Sequence, residues 1–174
     1  SVLKVAALLL ETLADEFFAA PFIYYRWVPA DTREWALSVF NLLVTEGLSD
    51  PETSTVAGQL AEMVAGGIQE RVRKVGLDRA EVQAESRQIT ESLCDALEAH
   101  LQHQPFLLGN RPSLADAALM NGFFGHLFMD PCEASTYLRR CCPRSALWMM
   151  RMHAAAGESD QGELYLSESL GTLL

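Results

Sequence analysis

One helix near the middle of the chain constrains the fold more than any other feature. Ser113 is followed three residues later by Asp116, the spacing of a capping box, in which the serine accepts from a first-turn amide and the acid reaches back to the serine amide. The helix that follows carries only three strongly polar side chains, Asp116, Asn121 and His126. A helix that is apolar on nearly all sides must be buried, and this one is too short and too polar for a membrane span. The sequence therefore predicts an all-α helical bundle around a buried helix at 113–129.

Apolar residues at helical spacing predict further helices before this one. The first is predicted over 2–20 and is ended by Pro21, because proline disfavours the helical conformation of the residue before it. Its inward face is predicted to hold the apolar residues spaced three and four apart: Val2, Val5, Ala6, Leu9, Leu13 and Phe17. Asp50-Pro51 opens a later helix that ends at Gly76, with proline at the first helical position, where its missing amide costs nothing.

The helix that starts after Asp50 is predicted to pack along one apolar face and to be disturbed at its centre. That face consists of Val56, Leu60, Met63, Val64, Ile68, Val72 and Val75. The pair Gly66-Gly67 predicts a bend or a close helix crossing, because each glycine weakens a helix by about 1 kcal/mol. Other boundaries are predicted from local residues alone: capping boxes at 31–34 and 78–81, a helix end at Gly47, and helix starts at Asp130-Pro131 and Pro143.

The composition limits the number of domains and the kinds of partner. The 174 residues fit one compact domain, which we place at 1–156, followed by a tail at 157–174 that packs on the bundle or extends from it. The net charge of −10 argues against nucleic acid and anionic membranes as partners. Four cysteines in a chain of this length do not form a disulfide framework, so we expect a cytoplasmic protein.

The sequence contains no catalytic constellation and predicts no metal site. His100 and His103 lack a carboxylate or cysteine at a suitable spacing, which favours a solvated helix end over a metal site. Cys141 and Cys142 are adjacent rather than in a C-x-x-C pattern, so we expect buried or idle thiols. His126 lies in an apolar helix, which favours a core histidine with satisfied hydrogen bonds over a general base.

The aromatic cluster Tyr24, Tyr25, Arg26 and Trp27 is the most site-like part of the sequence. Tyrosine and tryptophan offer flat apolar faces with one polar atom, and Arg26 can pair with an anionic ligand. We therefore predict substrate binding by these four residues. Two alternatives stay open: the rings only pack against the end of the bundle, or the cluster alone serves a ligand-binding or isomerase-like protein.

Two groups of residues resemble the C-terminal, all-helical domain of glutathione S-transferases. The stretch 106–116 is similar to the N-capping segment of that family's buried core helix, in which the residues at Ser113 and Asp116 serve folding rather than catalysis. The wider pattern is similar to a bacterial branch of the family: Tyr25-Arg26-Trp27, Gly125-His126-Leu127, Asp130-Pro131, Pro143, Trp148, Arg151 and Met152. The resemblance covers nearly the whole chain.

The resemblance also implies that part of the chemistry lies elsewhere. Members of the family carry an N-terminal thioredoxin-like domain that holds glutathione and activates its thiol, and this chain contains no counterpart of it. We therefore assign no catalytic residue and expect glutathione as a cofactor only together with that domain. The helical half of the electrophile pocket is expected from helix 2–20 and residues 22–27. The implied partners are a hydrophobic small molecule, the thioredoxin-like domain and a second copy in a homodimer.

Two functions follow as hypotheses. In the first, the chain is the helical substrate-site and dimerisation domain of a glutathione S-transferase-like protein, which in its intact form conjugates glutathione to hydrophobic electrophiles. In the second, it is a free-standing, non-catalytic binding or protein-interaction module with the same fold. Conjugation of glutathione by the 174-residue chain itself would exclude the second.

Overall fold

The protein is an all-α bundle in a computed structural model that describes residues 1–46, 50–155 and 162–173, and the predicted fold class is confirmed. Its α-helices are α1 (Val2–Thr12), α2 (Ala19–Trp27), α3 (Ala30–Thr45), α4 (Pro51–Lys74), α5 (Ala80–His100), α6 (Leu114–Gly122), α7 (Glu133–Cys141) and α8 (Pro143–Ala154). Two π-helical turns extend helices, the first π turn (Leu13–Phe17) after α1 and the second π turn (Phe123–Phe128) after α6, and a 3₁₀ helix spans Glu168–Thr172. The described ranges contain isolated β-bridges but no β-strand.

The helix predicted at 113–129 lies at the centre of the core. Its α-helical part buries Ala115 and Leu119, and its π turn buries Phe123 and Leu127. The Phe123 ring meets the fully buried Trp148 edge to face, with the ring centroids 6.1 Å apart. This contact joins the central helix to α8 through an aromatic geometry that is favourable beyond its buried area.

Gly122 permits a close contact between the central helix and α2. A Cβ atom at this position would lie 2.1 Å from the ring of Phe22. We expect Gly122→Ala to cost about 1 to 3 kcal/mol of unfolding free energy, because the core must shift to accept the methyl group. Gly125 is a matched control, since nothing lies within 4 Å of its Cβ position. Urea denaturation followed by circular dichroism should show Gly125→Ala unchanged or stabilised; equal losses in both variants would refute the close contact.

The first helix differs from the prediction in its end and in its buried face. The helical segment does not end at Pro21. Instead, α1 passes into the first π turn, and α2 starts at Ala19. Pro21 lies in the first turn of α2, where no intrahelical amide hydrogen bond is lost. The inward face is a narrow row of Ala6, Leu10 and Ala14, because small residues let α1 approach α6. Four residues predicted to face inward are exposed instead: Val2, Val5, Leu9 and Phe17.

The fourth helix also turns much of its predicted inward face to solvent. It buries Ala61, Ala65 and Val72, whereas the following residues are exposed: Val56, Leu60, Met63, Val64 and Val75. The helix is continuous across Gly66-Gly67, and nothing lies within 4 Å of either Cβ position, so the expected close helix crossing is wrong, while the alternative of a bend stays a prediction. Gly76 follows the helix with φ 77°, a conformation that favours glycine at a helix end.

The predicted helix starts at Pro51 and Pro143 are confirmed, whereas two predicted capping boxes and one predicted start are wrong. Asp50 caps α4 and accepts from the Thr53 amide at 2.8 Å. The predicted capping boxes at 31–34 and 78–81 are wrong, because α3 starts one residue before Asp31 and α5 starts after Arg79 without a side-chain cap. The start at Asp130-Pro131 is also wrong: α7 begins at Glu133, and Asp130 is buried against Arg26.

The described part of the C-terminal segment packs against the loop that leads into α6. The Tyr165 amide donates to the Leu108 carbonyl at 3.0 Å, and the Asn110 amide donates to the Glu163 carbonyl at 3.2 Å. Leu170 is buried in the core. The predicted domain boundary at 156 and the helix end at Gly47 lie outside the described residues.

Candidate functional site

Asp116 is a buried acceptor on which three parts of the fold converge. Ser113 is the N-cap of α6, and the capping box with Asp116 is present. One carboxylate oxygen of Asp116 accepts from the Leu107 amide at 2.8 Å and from Trp148 Nε1 at 2.9 Å. The other accepts from the amide of Ser113 at 2.9 Å and from its hydroxyl at 2.6 Å. The carboxylate thus joins the start of α6 to the preceding loop and to α8.

His100 is buried, which corrects the prediction of a solvated helix end. Its side chain is 0% exposed, with Nε2 3.0 Å from the Leu107 carbonyl and Nδ1 3.0 Å from the Ser169 hydroxyl. Burial lowers the pKa of His100 below its ordinary value. The ring therefore connects α5 to the C-terminal segment, and its partner Ser169 is 69 residues away, too far along the chain for the sequence pattern to indicate it. His103 lies beyond the end of α5 and is exposed.

The aromatic side chains of the predicted substrate cluster lie in the core. Tyr24, Tyr25 and Trp27 are all buried, and Arg87 donates a hydrogen bond to the Tyr24 hydroxyl. Burial raises the pKa of Tyr25 above its ordinary value, so the phenol stays protonated at neutral pH. The two tyrosines also border a cleft of about 290 Å³ beside Glu133, and Trp27 borders one of about 140 Å³ against α3. Substrate binding by the cluster stays a prediction.

The fourth residue of the cluster, Arg26, is held by a carboxylate from another part of the chain. Its Nε and Nη2 atoms donate to the two oxygens of Asp130, both at 2.7 Å, and Nη2 also donates to the Gly125 carbonyl. The Asp130 side chain is 0% exposed and the Arg26 side chain 25%. The guanidinium therefore fastens α2 to the second π turn. Sequence reasoning missed Asp130 as this partner because 104 residues separate the two.

His126 is not the satisfied core histidine that the sequence predicted. Its Nδ1 atom is buried and has no hydrogen-bond partner among the described residues. Burial, together with the nearby charge of Arg26, lowers the pKa of His126 from 6.5 to about 4. The ring is therefore neutral at physiological pH.

The shifted pKa of His126 predicts a pH dependence of stability. The unfolded chain takes up a proton on His126 near pH 6.5, whereas the folded chain takes it up only near pH 4. Between these values the unfolded state binds more protons, so stability falls as the pH falls. We expect wild type to lose about 2 kcal/mol more than His126→Gln between about pH 7 and pH 5. Urea midpoints at both pH values measure this; identical losses in the two proteins would contradict the burial of a neutral ring.

The two π turns border one cavity of about 160 Å³. The first π turn contributes Ala14 and Asp15, and the second contributes His126. Phe22 of α2 and Ala118 of α6 also line it. π-Helical turns are rare and are frequent at functional sites, and no sequence pattern predicted either turn.

The cysteines lie in different environments. Cys94, Cys132 and Cys142 are buried, Cys141 is exposed, and all four are free thiols. Within the described ranges, no group of three or more histidine, cysteine or acidic side chains is arranged to hold a metal ion. No helix in the same ranges has the length and apolarity needed to cross a membrane.

Comparison with known proteins gives one family match. Residues 80–120 match the family described as Glutathione S-transferase, C-terminal domain. The matched segment contains α5, the loop after it and most of α6, including Ser113 and Asp116. No curated protein matches the chain, and no solved structure matches it.

Proposed function

We propose, from the premise that this chain carries the C-terminal helical domain of the glutathione S-transferase family, that it shapes the substrate site and the dimer contact of a glutathione-conjugating protein. In the intact protein, a thioredoxin-like domain binds glutathione and lowers the pKa of its thiol, because the thiolate is the nucleophile. The helical domain supplies the apolar wall against which a hydrophobic electrophile lies. A cytoplasmic location is part of this proposal.

The exposed apolar face of α1 is the observation that carries the proposal. Val2, Val5 and Leu9 are 70%, 57% and 49% exposed, and their spacing places them along one side of the helix. Contiguous exposed apolar side chains of this kind mark an interaction surface. The occupant we propose is the thioredoxin-like domain, because the family pairs such a domain with its helical one.

The four residues of the aromatic cluster keep a role in this proposal. The Arg26–Asp130 pair fixes the orientation of α2 relative to the second π turn. Tyr24, Tyr25 and Trp27, its neighbours in the chain, are buried in the core. We propose that the cluster sets the position of the pocket wall and reaches substrate through the clefts that its members border.

Charge substitutions on α1 test the proposed domain contact. Val5→Asp with Leu9→Asp should leave the free energy of unfolding of the 174-residue chain, measured by urea denaturation, unchanged within about 0.5 kcal/mol, because both positions are exposed. In the protein encoded by the complete gene, the same pair should abolish or sharply reduce glutathione conjugation. Met150→Asp is the control, since Met150 is 57% exposed on α8. Full activity of the α1 double variant would refute the contact.

A second exposed apolar set lies on α3 and α4 and supports the dimer part of the proposal. It consists of Leu42, Leu43, Val56, Leu60 and Met63. We propose a second copy of the chain as its occupant. Sedimentation velocity should give a dimer for wild type and a monomer for Leu43→Glu with Met63→Glu. If wild type is a monomer and the complete protein does not conjugate glutathione, the free-standing interaction module is favoured instead.

A further inference from the structure

Two of the buried cysteines lie beside each other where α5 meets the start of α8. Cys94 of α5 and Cys142, the N-cap residue of α8, are both 0% exposed. Their thiols are close enough to share a hydrogen bond, and both are free. The fold therefore places a reduced pair of thiols in the core, although the two cysteines are far apart in the sequence.

Hydrogen bonds on either side of the pair hold the surrounding helices together. Glu98 lies one turn after Cys94 on the same face of α5 and accepts from the Ser145 amide of α8 at 2.9 Å and from the Ser145 hydroxyl at 3.0 Å. Asp95 accepts from the Tyr137 hydroxyl of α7 at 2.6 Å. Because these bonds join α5 to α7 and α8, the two thiols stay together in the folded chain.

The two thiols differ in how readily they ionise. The hydrogen bond from Cys94 holds the pKa of Cys142 below its ordinary value. The same bond, together with burial, raises the pKa of Cys94. The thiolate is the nucleophilic form of cysteine. An oxidant is therefore expected to react first with Cys142, and Cys94 is the thiol that can then resolve the product.

The surroundings of the pair select a small, uncharged oxidant. Cys142 is buried but lies between the exposed residues Cys141 and Pro143, so a local opening of this short connection admits a small molecule. A bulky thiol reagent meets the exposed Cys141 instead. The charges of Glu98 and Asp95 act on the Cys142 thiol and disfavour an anionic oxidant. Hydrogen peroxide is both small and neutral.

We propose that Cys94 and Cys142 are a site of reversible oxidation by hydrogen peroxide, which closes a disulfide between α5 and α8 within the folded chain. The Cys142 thiolate attacks one peroxide oxygen and becomes a sulfenic acid, and the other oxygen leaves as hydroxide, which takes a proton from solvent. The Cys94 sulfur then attacks the Cys142 sulfur, and its proton leaves with the sulfenic hydroxyl group as water. The thiols lose two electrons, which the peroxide gains, and a thiol reductant reverses the reaction.

The disulfide is expected to stabilise the bundle. It closes a loop of about 50 residues, which restricts the unfolded chain and should raise the melting temperature by at least about 5 °C. In a reducing compartment such a bond is transient, which suits a reversible site. A melting temperature that stays the same or falls after oxidation would contradict a disulfide that the native packing accommodates. Neither thiol belongs to the proposed conjugation site, so failure of that activity leaves this proposal standing.

Peptide mapping of the peroxide-treated chain tests the pairing. The reduced 174-residue chain is treated with limiting hydrogen peroxide, unfolded in the presence of N-ethylmaleimide and analysed by mass spectrometry. The reduced chain should carry four maleimides, one for each cysteine, and the oxidised chain two. The oxidised chain should also give one cross-linked peptide pair, which contains Cys94 and Cys142 and is released by dithiothreitol. Four maleimides after treatment, or a disulfide that includes Cys132 or Cys141, would overturn the proposal.

Cys132 provides the matched control. It is also buried, and its thiol donates to the His126 carbonyl at 3.9 Å. Cys132→Ser should still form the disulfide, whereas Cys142→Ser should not. Cys94→Ala in a Cys141→Ser background should leave Cys142 as a sulfenic acid that dimedone traps, and absence of this adduct would exclude Cys142 as the thiol attacked first. The wild-type peptide map decides the pairing even if one of these variants does not fold.

Discussion

Asp116→Ala is expected to lower the unfolding free energy by roughly 3 to 5 kcal/mol, one of the two largest effects of a single substitution discussed for this chain. The Asp116 side chain is 0% exposed and its carboxylate accepts four hydrogen bonds, two of them from the Leu107 amide and Trp148 Nε1. Truncation leaves these buried donors unpaired, and each costs about 1 to 3 kcal/mol. Loss of the α6 cap adds to this.

Ser113→Ala is the matched control for the Asp116 substitution. It removes the cap hydroxyl but leaves the bonds to Leu107 and Trp148, so we expect a loss of about 1 kcal/mol. Urea denaturation of both variants, followed by circular dichroism and by Trp fluorescence, compares them directly. Equal losses for the two would mean that Asp116 acts only as a cap and does not join the loop and α8 to the central helix.

Arg26→Met is expected to lower the unfolding free energy by roughly 3 to 5 kcal/mol, because it leaves the Asp130 carboxylate buried without a counter-charge. The methionine keeps most of the apolar stem, so lost packing contributes little. Arg26→Met with Asp130→Leu should be more stable than Arg26→Met alone, since the double variant has no uncompensated buried charge. Urea denaturation of wild type, Arg26→Met, Asp130→Leu and the double variant gives a double-mutant cycle that measures the coupling between the two side chains.

An exposed ion pair provides the comparison for Arg26. Lys74 and Glu70 lie 2.7 Å apart on α4, with side chains 70% and 60% exposed. Glu70→Gln should therefore change stability by no more than about 0.5 kcal/mol.

The double-mutant cycle at Arg26 and Asp130 has its own contradicting outcome. If the loss in unfolding free energy of the double variant equals the sum of the two single losses, the pair does not fasten α2 to the second π turn.

The features of the fold that the sequence predicts are those that local residues determine. The capping box at Ser113 and the Asp50 cap involve partners three residues apart, so spacing alone reveals them. The central helix is apolar on nearly all sides, and burial is the only outcome. The chain's helical class follows from the same patterns.

Partners distant in sequence decided the predictions that failed. Asp130 has a cap-like sequence context, but its carboxylate is taken by Arg26. The start of α8 at Pro143 was predicted correctly, although its cap also comes from a distant residue: Glu98 of α5 accepts from the Ser145 amide at 2.9 Å. On α1, apolar residues occupy more than one side, and the small side chains of Ala6 and Ala14 set the buried face. Periodicity cannot choose between two apolar faces when close approach determines the packing.

The candidate site was predicted only in part. The sequence singled out Tyr24–Trp27 and His126 as chemically notable. His126 lies within the second π turn and lines the cavity, and Arg26 donates to the Gly125 carbonyl of the same turn. It did not predict the π turns, because no residue pattern in either segment indicated a π-helical turn. The cavity that they border could therefore not be derived from spacing.

Glutathione conjugation by two forms of the protein tests the proposed function most directly. The 174-residue chain and the protein encoded by the complete gene are assayed in parallel, with glutathione and an aromatic electrophile. We expect no conjugation by the chain, because the thiol-activating domain is not part of it, and conjugation by the complete protein that is lost in the Val5→Asp, Leu9→Asp variant. Conjugation by the 174-residue chain alone, or none by the complete protein, would contradict the proposal.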